Sequence, residues 1–415
     1  MTNPHVSTID TATTPRRDPL TVYQYMLTGQ PLKDNNAQLP QTVEVKGQPM
    51  TAIGIDPGNG EMKAAMMGLD GRLVTVQIIS AYRIAVTLGG GKSPTTYTVN
   101  GGPSFWIGRD AVQMKGDALP IGPTAVRLED PRQIDFYAAG VVELLIKAHC
   151  APGQYTLATG LALPNMEMQA QVKKNEAGEE VEVFGVVEES KQAIKEHIYG
   201  KSYHVSRLDE DGDVTNWQIT FGQVYTQAQS YGTFMALTHT IFGTRRTDGI
   251  QEYAIIDMGR GDTHETLIQL SPTFRMMTKR TGEGTIKQAR AVARALAEFD
   301  LNDAQAQEAL ITRSILDGGR PKSINHVVDK VVERETQEML SRLLPALRNR
   351  NAFIAFTGGG TKDATTLQMI NDRMDSVGRS AESFVIVHPE VASVLNAVGT
   401  LLKVLFTELA RKGRA

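Results

Sequence analysis

Apolar residues fall into short runs separated by turn signals along most of the chain. Ala52-Ile53-Gly54-Ile55 is apolar and stops at Asp56-Pro57-Gly58-Asn59-Gly60, a turn composition. Residues 62–67 resume as a second strand, 69–72 turn again, and 73–79 give a third, so a β-meander is expected. Residues 80–131 are rich in Gly, Pro and Thr, with short strands expected at 95–99 and 104–107. Over 134–148, Phe136, Ala139, Val142, Leu145 and Ile146 share one helical face. A buried strand is expected at 155–159, a mixed subdomain over 165–221, a strand and turn at 224–230, and a helix of small residues at 231–242.

The second half repeats the opening. Tyr253-Ala254-Ile255-Ile256 is an apolar strand ending at Asp257. Residues 285–350 read as mostly helical, with Arg320-Pro321 as a break. Phe353-Ile354-Ala355-Phe356 is a buried strand ending at Gly358-Gly359-Gly360, and 391–409 is a long closing helix. The loop 244–249 reads as a domain joint. Residues 1–50, rich in Thr, Pro, Gln and Asn, read as a flexible polar extension with one short apolar patch at 20–27. The expected organisation is therefore an extension over 1–50, a domain with an inserted subdomain over 51–243, and a second domain with a closing helix over 244–415.

Composition narrows the class. The 415 residues suit two domains. Forty-three basic against 46 acidic residues give a net charge of -3, no basis for broad binding to DNA or an anionic membrane. Cys150 is the single cysteine, so no intrachain disulfide or cysteine metal cluster exists, and it reads as a small buried hydrophobe. No apolar run approaches the length that spans a bilayer, and a cytoplasmic protein is expected. The amphipathic stretch 401–412 ends basic, as a helix C-terminus favours.

Three turns carry candidate chemistry. Asp56 to Lys63 and Asp257 to Thr263 share one shape: an apolar strand, Asp, one residue, Gly, then small or polar residues. Such a turn exposes consecutive N–H groups and lets a phosphate approach the backbone at Gly58, Asn59, Gly60, Gly259 and Gly261. Asp56 and Asp257 can hold the water shell of a magnesium ion. Lys63, seven residues after Asp56, folds back over its turn as a point charge for phosphate. Gly358-Gly359-Gly360-Thr361 follows a buried strand and leaves a flat surface for a base and ribose. Each turn alone is weak; the pair plus the glycine run points to an interdomain nucleotide cleft. Gly89-Gly90-Gly91-Lys92-Ser93 lacks the upstream glycine of a P-loop and runs into Pro94, so it reads as a plain loop.

With these turns, the chain resembles the actin, sugar-kinase and heat-shock-chaperone superfamily over 51–406, and within it the bacterial plasmid-segregating actins of the ParM type. That resemblance implies an α/β fold of the actin-like ATPase kind, two ribonuclease-H-like domains flanking a nucleotide cleft. It implies ATP, with GTP left open, and Mg²⁺ held through water by Asp56 and Asp257. Asp262 and Thr263 complete the second phosphate turn, and Gly282 and Glu283 lie by the nucleotide. The stretch 224–232 occupies the place of the segment that orients the attacking water; by position that residue is Gln227, with Gln229 two residues on. Asn396-Ala397-Val398-Gly399 resembles the small-residue closing helix. Pro57 and the bulky Arg260 depart from the usual turns. The function implied is slow, assembly-coupled ATP hydrolysis, self-association into filaments, and DNA positioning through a DNA-binding adaptor, without direct nucleic-acid or membrane contact. A small-molecule kinase and a nucleotide-sensing scaffold remain the alternatives.

Overall fold

Two β-sheets of the same topology organise the chain. The computed structural model describes residues 20–413, apart from 35–36, 59, 87–93, 114–118, 121–127, 129, 165–167, 175–179, 247–248, 272–273 and 350. One compact unit comprises Asp18–Arg246 with Val394–Ala415, and the other contains Thr247–Ser393.

In the first unit, helix α1 (Val22–Thr28) precedes strands β1 (Thr42–Val45), β2 (Gln48–Pro57), β3 (Glu61–Met67), β4 (Leu73–Ile79), β5 (Ala81–Ile84), β6 (Thr96–Val99) and β7 (Phe105–Ile107). Helix α2 (Pro131–Lys147), β8 (Gln154–Leu163), β9 (Ser202–Leu208), β10 (Val214–Ala228) and α3 (Gln229–Thr238) follow. Strands β4-β3-β2-β8-β10 lie side by side. The first three are antiparallel, and β8 runs parallel to both β2 and β10. Of the α2 positions expected on one face, Phe136, Ala139, Val142 and Leu145 are buried with Ile53, Met62, Leu157 and Phe221 in one core, and Ile146 packs against it partly buried. Asp130 starts α2 by accepting from the Arg132 N–H, with proline at the first helical position.

The second unit repeats this order with β11 (Glu252–Met258), β12 (Asp262–Gln269), β13 (Arg275–Glu283), β14 (Ala352–Thr357) and β15 (Phe384–Ile386), arranged β13-β12-β11-β14-β15. Again the first three are antiparallel and the last two run parallel to β11. Helices α4 (Thr285–Ala295), α5 (Asp303–Thr312), α6 (Asn325–Leu347) and α7 (Ala364–Ser376) cover it. The 23-residue α6 serves two cores. Leu340, Leu343 and Leu347 pack with Ile256, Ile354 and Phe356, whereas Val328 and Val332 pack with Val292 and Ala309.

Three expectations change. The described part of residues 20–50 holds more than one short apolar element in a flexible extension: the 20–27 patch forms α1, where Thr21 and Gln24 make a capping box and Val22 and Tyr25 are buried, and β1 pairs with β2. The Arg320-Pro321 break is one strand of a hairpin, Ser314–Asp317 with Arg320–Ser323. The closing helix (Leu395–Lys412), expected with residues 244–415, packs in the first unit. Glycine explains that placement. Gly54 and Gly160 are register partners on β2 and β8. A Cβ at Gly54 would stand 2.0 Å from the Ala397 carbonyl oxygen, and one at Gly160 2.2 Å from that of Thr400. Gly399 approaches Gly232 of α3 as closely, 2.0 Å from its carbonyl oxygen to an added Cβ. At the far end Tyr225 donates to the buried Glu408 at 2.6 Å, and Arg411 pairs with the same carboxylate.

Two outcomes follow for this unit. Gly54→Ala forces the helix backbone away and should cost about 2–3 kcal/mol, read as a lower urea midpoint. His239, at the end of α3, donates its N–H to Met235 and stacks on Phe406. Burial, with Arg245 beside it, lowers its pKa to about 4. The unfolded histidine protonates near 6.5, so the unfolded chain holds the extra proton between those values and stability falls as pH drops through them. Asp135, pushed up to about 6 by burial and Asp130, acts in the opposite sense. Comparing His239→Phe with the unsubstituted chain isolates the histidine: between pH 7 and pH 5 the latter should lose about 2 kcal/mol more.

Candidate functional site

The first unit contributes the turn between β2 and β3. Asp56 and Lys63 are cross-strand partners, their charged atoms 4.0 Å apart. Asp56 is 3% exposed, and its Oδ1 accepts from Gln229 Nε2 at 2.7 Å. Gly58 has no space for a side chain: a Cβ would meet the Glu61 carbonyl oxygen at 2.6 Å and Lys63 Nζ at 2.8 Å. The lysine ammonium therefore hangs directly over the glycine, as the hairpin spacing predicts. Gly60 is buried; Asn59 lies outside the described residues. Pro57 ends β2 opposite Met62, a strand-end place that tolerates proline.

Gln227 sits elsewhere. It is 5% exposed on β10, opposite Ala162, and neither amide atom has a hydrogen-bond partner. Gln229, the first residue of α3, is the glutamine that reaches Asp56. The two-residue spacing separates a strand position from a helix start, which sequence position alone does not resolve.

In the second unit, the turn between β11 and β12 is closed by the Gly259 N–H donating to the Asp262 carbonyl at 3.0 Å. Its other carbonyls are taken by the start of α4: Thr285 N–H donates to Gly259 and Ile286 N–H to Arg260. Gly284 makes this possible, since a Cβ there would fall 2.1 Å from the Gly259 oxygen. Gly261 lies within the turn. Asp262 pairs with His264 Nε2 at 2.9 Å, and His264 stands across the ladder from Asp257. The histidine was not singled out in the sequence; its place two residues from Asp262 on one strand puts both on the same face. The carboxyl of Asp303 on α5 is held below the usual range mainly by its hydrogen bond to Arg290, with the charge of Arg260 a minor further cause.

The glycine run after β14 folds against this turn. Gly358 has φ +89, and a Cβ would stand 2.5 Å from Asp257 Oδ1 and 2.7 Å from the Met258 carbonyl oxygen. Only glycine fits there. Gly360 lies on Met258, Gly359 faces open space, and the buried Thr361 hydroxyl donates to the Gly358 carbonyl at 2.9 Å.

Thr263 turns the other way from Asp262. It is 1% exposed and lines a small cavity, partly open to solvent, with Gly282, Glu283, Gly284 and α6 residues. Lys287 lies 2.8 Å from Glu335 and 2.6 Å from Glu338, and Arg342 pairs with Glu338 at the same rim. These charged residues carried no motif in the sequence. The structure thus brings Thr263, Gly282 and Glu283 to one cavity, and Asp257, Gly358 and Gly360 to the adjoining turn.

No protein-family profile matches the chain, and no curated protein matches it by sequence. Solved structures do match in fold. An archaeal actin homologue crystallised in complex with ADP superimposes with a TM-score of 0.57 at 17% identity, over 88% of this chain and 99% of that one. Bacillus thuringiensis ParM with ATP gives a TM-score of 0.58 at 13% identity, over 87% and 99%. The apo pSK41 ParM protein gives 0.57 at 15% identity, over 88% and 98%. The five-strand order repeated in both sheets, one of 11 strands and one of five, and these matches establish that the chain has an actin-like α/β fold.

Proposed function

We propose that this chain is an actin-like ATPase that binds ATP with Mg²⁺, hydrolyses it slowly, and assembles with copies of itself into cytoplasmic filaments that position DNA through a DNA-binding adaptor. The observation that carries the reading is the recurrence of an Asp-bearing turn at one topological place, between β2 and β3 in the first unit and between β11 and β12 in the second. Each is shaped by a glycine with no space for a side chain: Gly58 lies within the first turn, and Gly358 packs on the second from the end of β14. Similarity in fold to an actin homologue with ADP and a ParM with ATP supports the nucleotide.

The roles follow from the geometry of each unit. Lys63, above Gly58, supplies positive charge to phosphate oxygens. We assign the nucleoside to the side of the second turn lined by Gly282 and Glu283, with the Glu283 carboxylate as acceptor for ribose hydroxyls. Glycine at 358, 359 and 360 leaves a side-chain-free surface. A magnesium ion, when bound, would neutralise polyphosphate charge; Asp56 in the first unit and Asp257 in the second are the carboxylates we assign to its water shell. We assign orientation of the attacking water to Gln229, not Gln227. Gln229 is tied to Asp56 at a helix start, and an amide can orient water without acting as a base; phosphoryl transfer requires little more than such positioning. Filament formation and the adaptor rest on the resemblance to plasmid-segregating actins. Among the described residues no helix is long and apolar enough to cross a membrane.

Two measurements test the reading. Gln229→Ala should lower steady-state ATP turnover roughly tenfold or more with KM little changed, whereas Gln227→Met, which breaks no hydrogen bond, should leave turnover within about twofold. Equal losses in both variants would return the role to the strand position. Sedimentation with ATP and Mg²⁺ should pellet the protein above a critical concentration; no assembly over a wide range, with ATP consumed only when a sugar is added, would favour a kinase.

A further inference from the structure

Ser80 sits where the chain leaves β4 for β5, in the otherwise apolar run Ile78-Ile79-Ser80-Ala81-Tyr82. It is 3% exposed. Its Oγ donates to the Gly58 carbonyl at 2.7 Å, and its N–H donates to the Gly60 carbonyl at 2.9 Å. One residue therefore grips both glycines of the first turn from behind. The backbone bond extends the β3–β4 ladder by one step, since Glu61 pairs with Ile79. The hydroxyl bond does something a ladder cannot: it reaches past β3 to the end of β2, 22 residues away in sequence.

We infer that Ser80 is a positioning residue for phosphate binding, holding Gly58 beneath the Lys63 ammonium so that the first turn is formed before ligand arrives. Gly58 is fixed on three sides. Its N–H donates to the Asp56 carbonyl at 3.0 Å, its carbonyl accepts from Ser80, and its Cα lies under Lys63. Removing the hydroxyl leaves a part-buried carbonyl without that partner, and the peptide plane is free to rotate. A rotated Gly58 carbonyl would present oxygen where phosphate oxygens must come. The inference rests on the reading of residues 56–63 as a phosphate turn and adds to it a residue that touches no ligand.

The test compares Ser80→Ala with Ser80→Cys, which keeps the volume but donates weakly, in the full-length chain. Fluorescence titration should show ATP affinity reduced about fivefold or more in both, the effect of one lost hydrogen bond. AMP, which lacks the terminal phosphates, should bind as before. Hydrogen exchange over residues 56–63 without nucleotide should quicken in both variants, and melting temperature should change little. ATP affinity unchanged, or ATP and AMP weakened in equal proportion, would overturn the assignment. An unsubstituted chain that binds no ATP removes the phosphate-turn reading and the positioning role with it; exchange then still reports the clamp, and unchanged exchange would show that none exists.

Discussion

The contact on which the first unit depends is a seam of backbone on backbone. Gly54 and Gly160 form a patch without side chains across two parallel strands, and the closing helix lies in it through the carbonyls of Ala397 and Thr400. Gly232 and Gly399 do the same between that helix and α3. A strand and a helix normally keep a side chain's distance; here they do not, so neither can slide without collision. Asp56 lies two residues beyond Gly54, and Gln229 three before Gly232. The seam therefore fixes, through rigid elements, the distance across which Gln229 reaches Asp56.

This also accounts for the orphaned polar atoms nearby. Gln227 and Ser230 are buried with unpaired side-chain atoms, on the segment where β10 passes into α3. A buried amide without partners costs on the order of 1–3 kcal/mol. The tightness of the glycine seam leaves little freedom to relieve it locally. Strain of this kind belongs where geometry is held for a purpose other than stability, and Gln229 stands between the two.

What was legible in the sequence followed from how local the signal is. Asp56, Gly58 and Lys63 lie on one hairpin, so spacing alone put the ammonium over the glycine. The β11–β12 turn and the Gly358 run were legible for the same reason. Position did not separate Gln227 from Gln229, because the boundary between β10 and α3 falls between them and a shift of two residues changes an unpaired strand side chain into a helix start. The order in residues 20–50 was hidden by its small apolar content: α1 is held by Val22, Tyr25 and a capping box, not by a long periodic face. The closing helix was assigned by proximity in sequence, whereas its glycine partners Gly54, Gly160 and Gly232 lie far upstream in the chain. The cavity rim of Lys287, Glu335 and Glu338 is a charge cluster on two helices that no linear spacing announces.

The two turns share a shape but not a support, and the difference has consequences. The first is braced by side chains, Gln229 at Asp56 and Ser80 at Gly58, both from its own unit's sheet and helix. The second is braced by main chain: the opening N–H groups of α4 bind the carbonyls of Gly259 and Arg260. A turn tied to a helix start moves only with that helix. Helix α4 packs with α5 in the core that holds Val292 and Ala309, and Arg290 of α4 grips Asp303 of α5 through two nitrogens. Arg260 adds its charge to the same carboxylate, which gives this bulky residue a physical role outside the turn. Displacement of the second turn must therefore carry the α4–α5 core with it, whereas displacement of the first breaks two side-chain hydrogen bonds and the single backbone bond from Ser80 to Gly60.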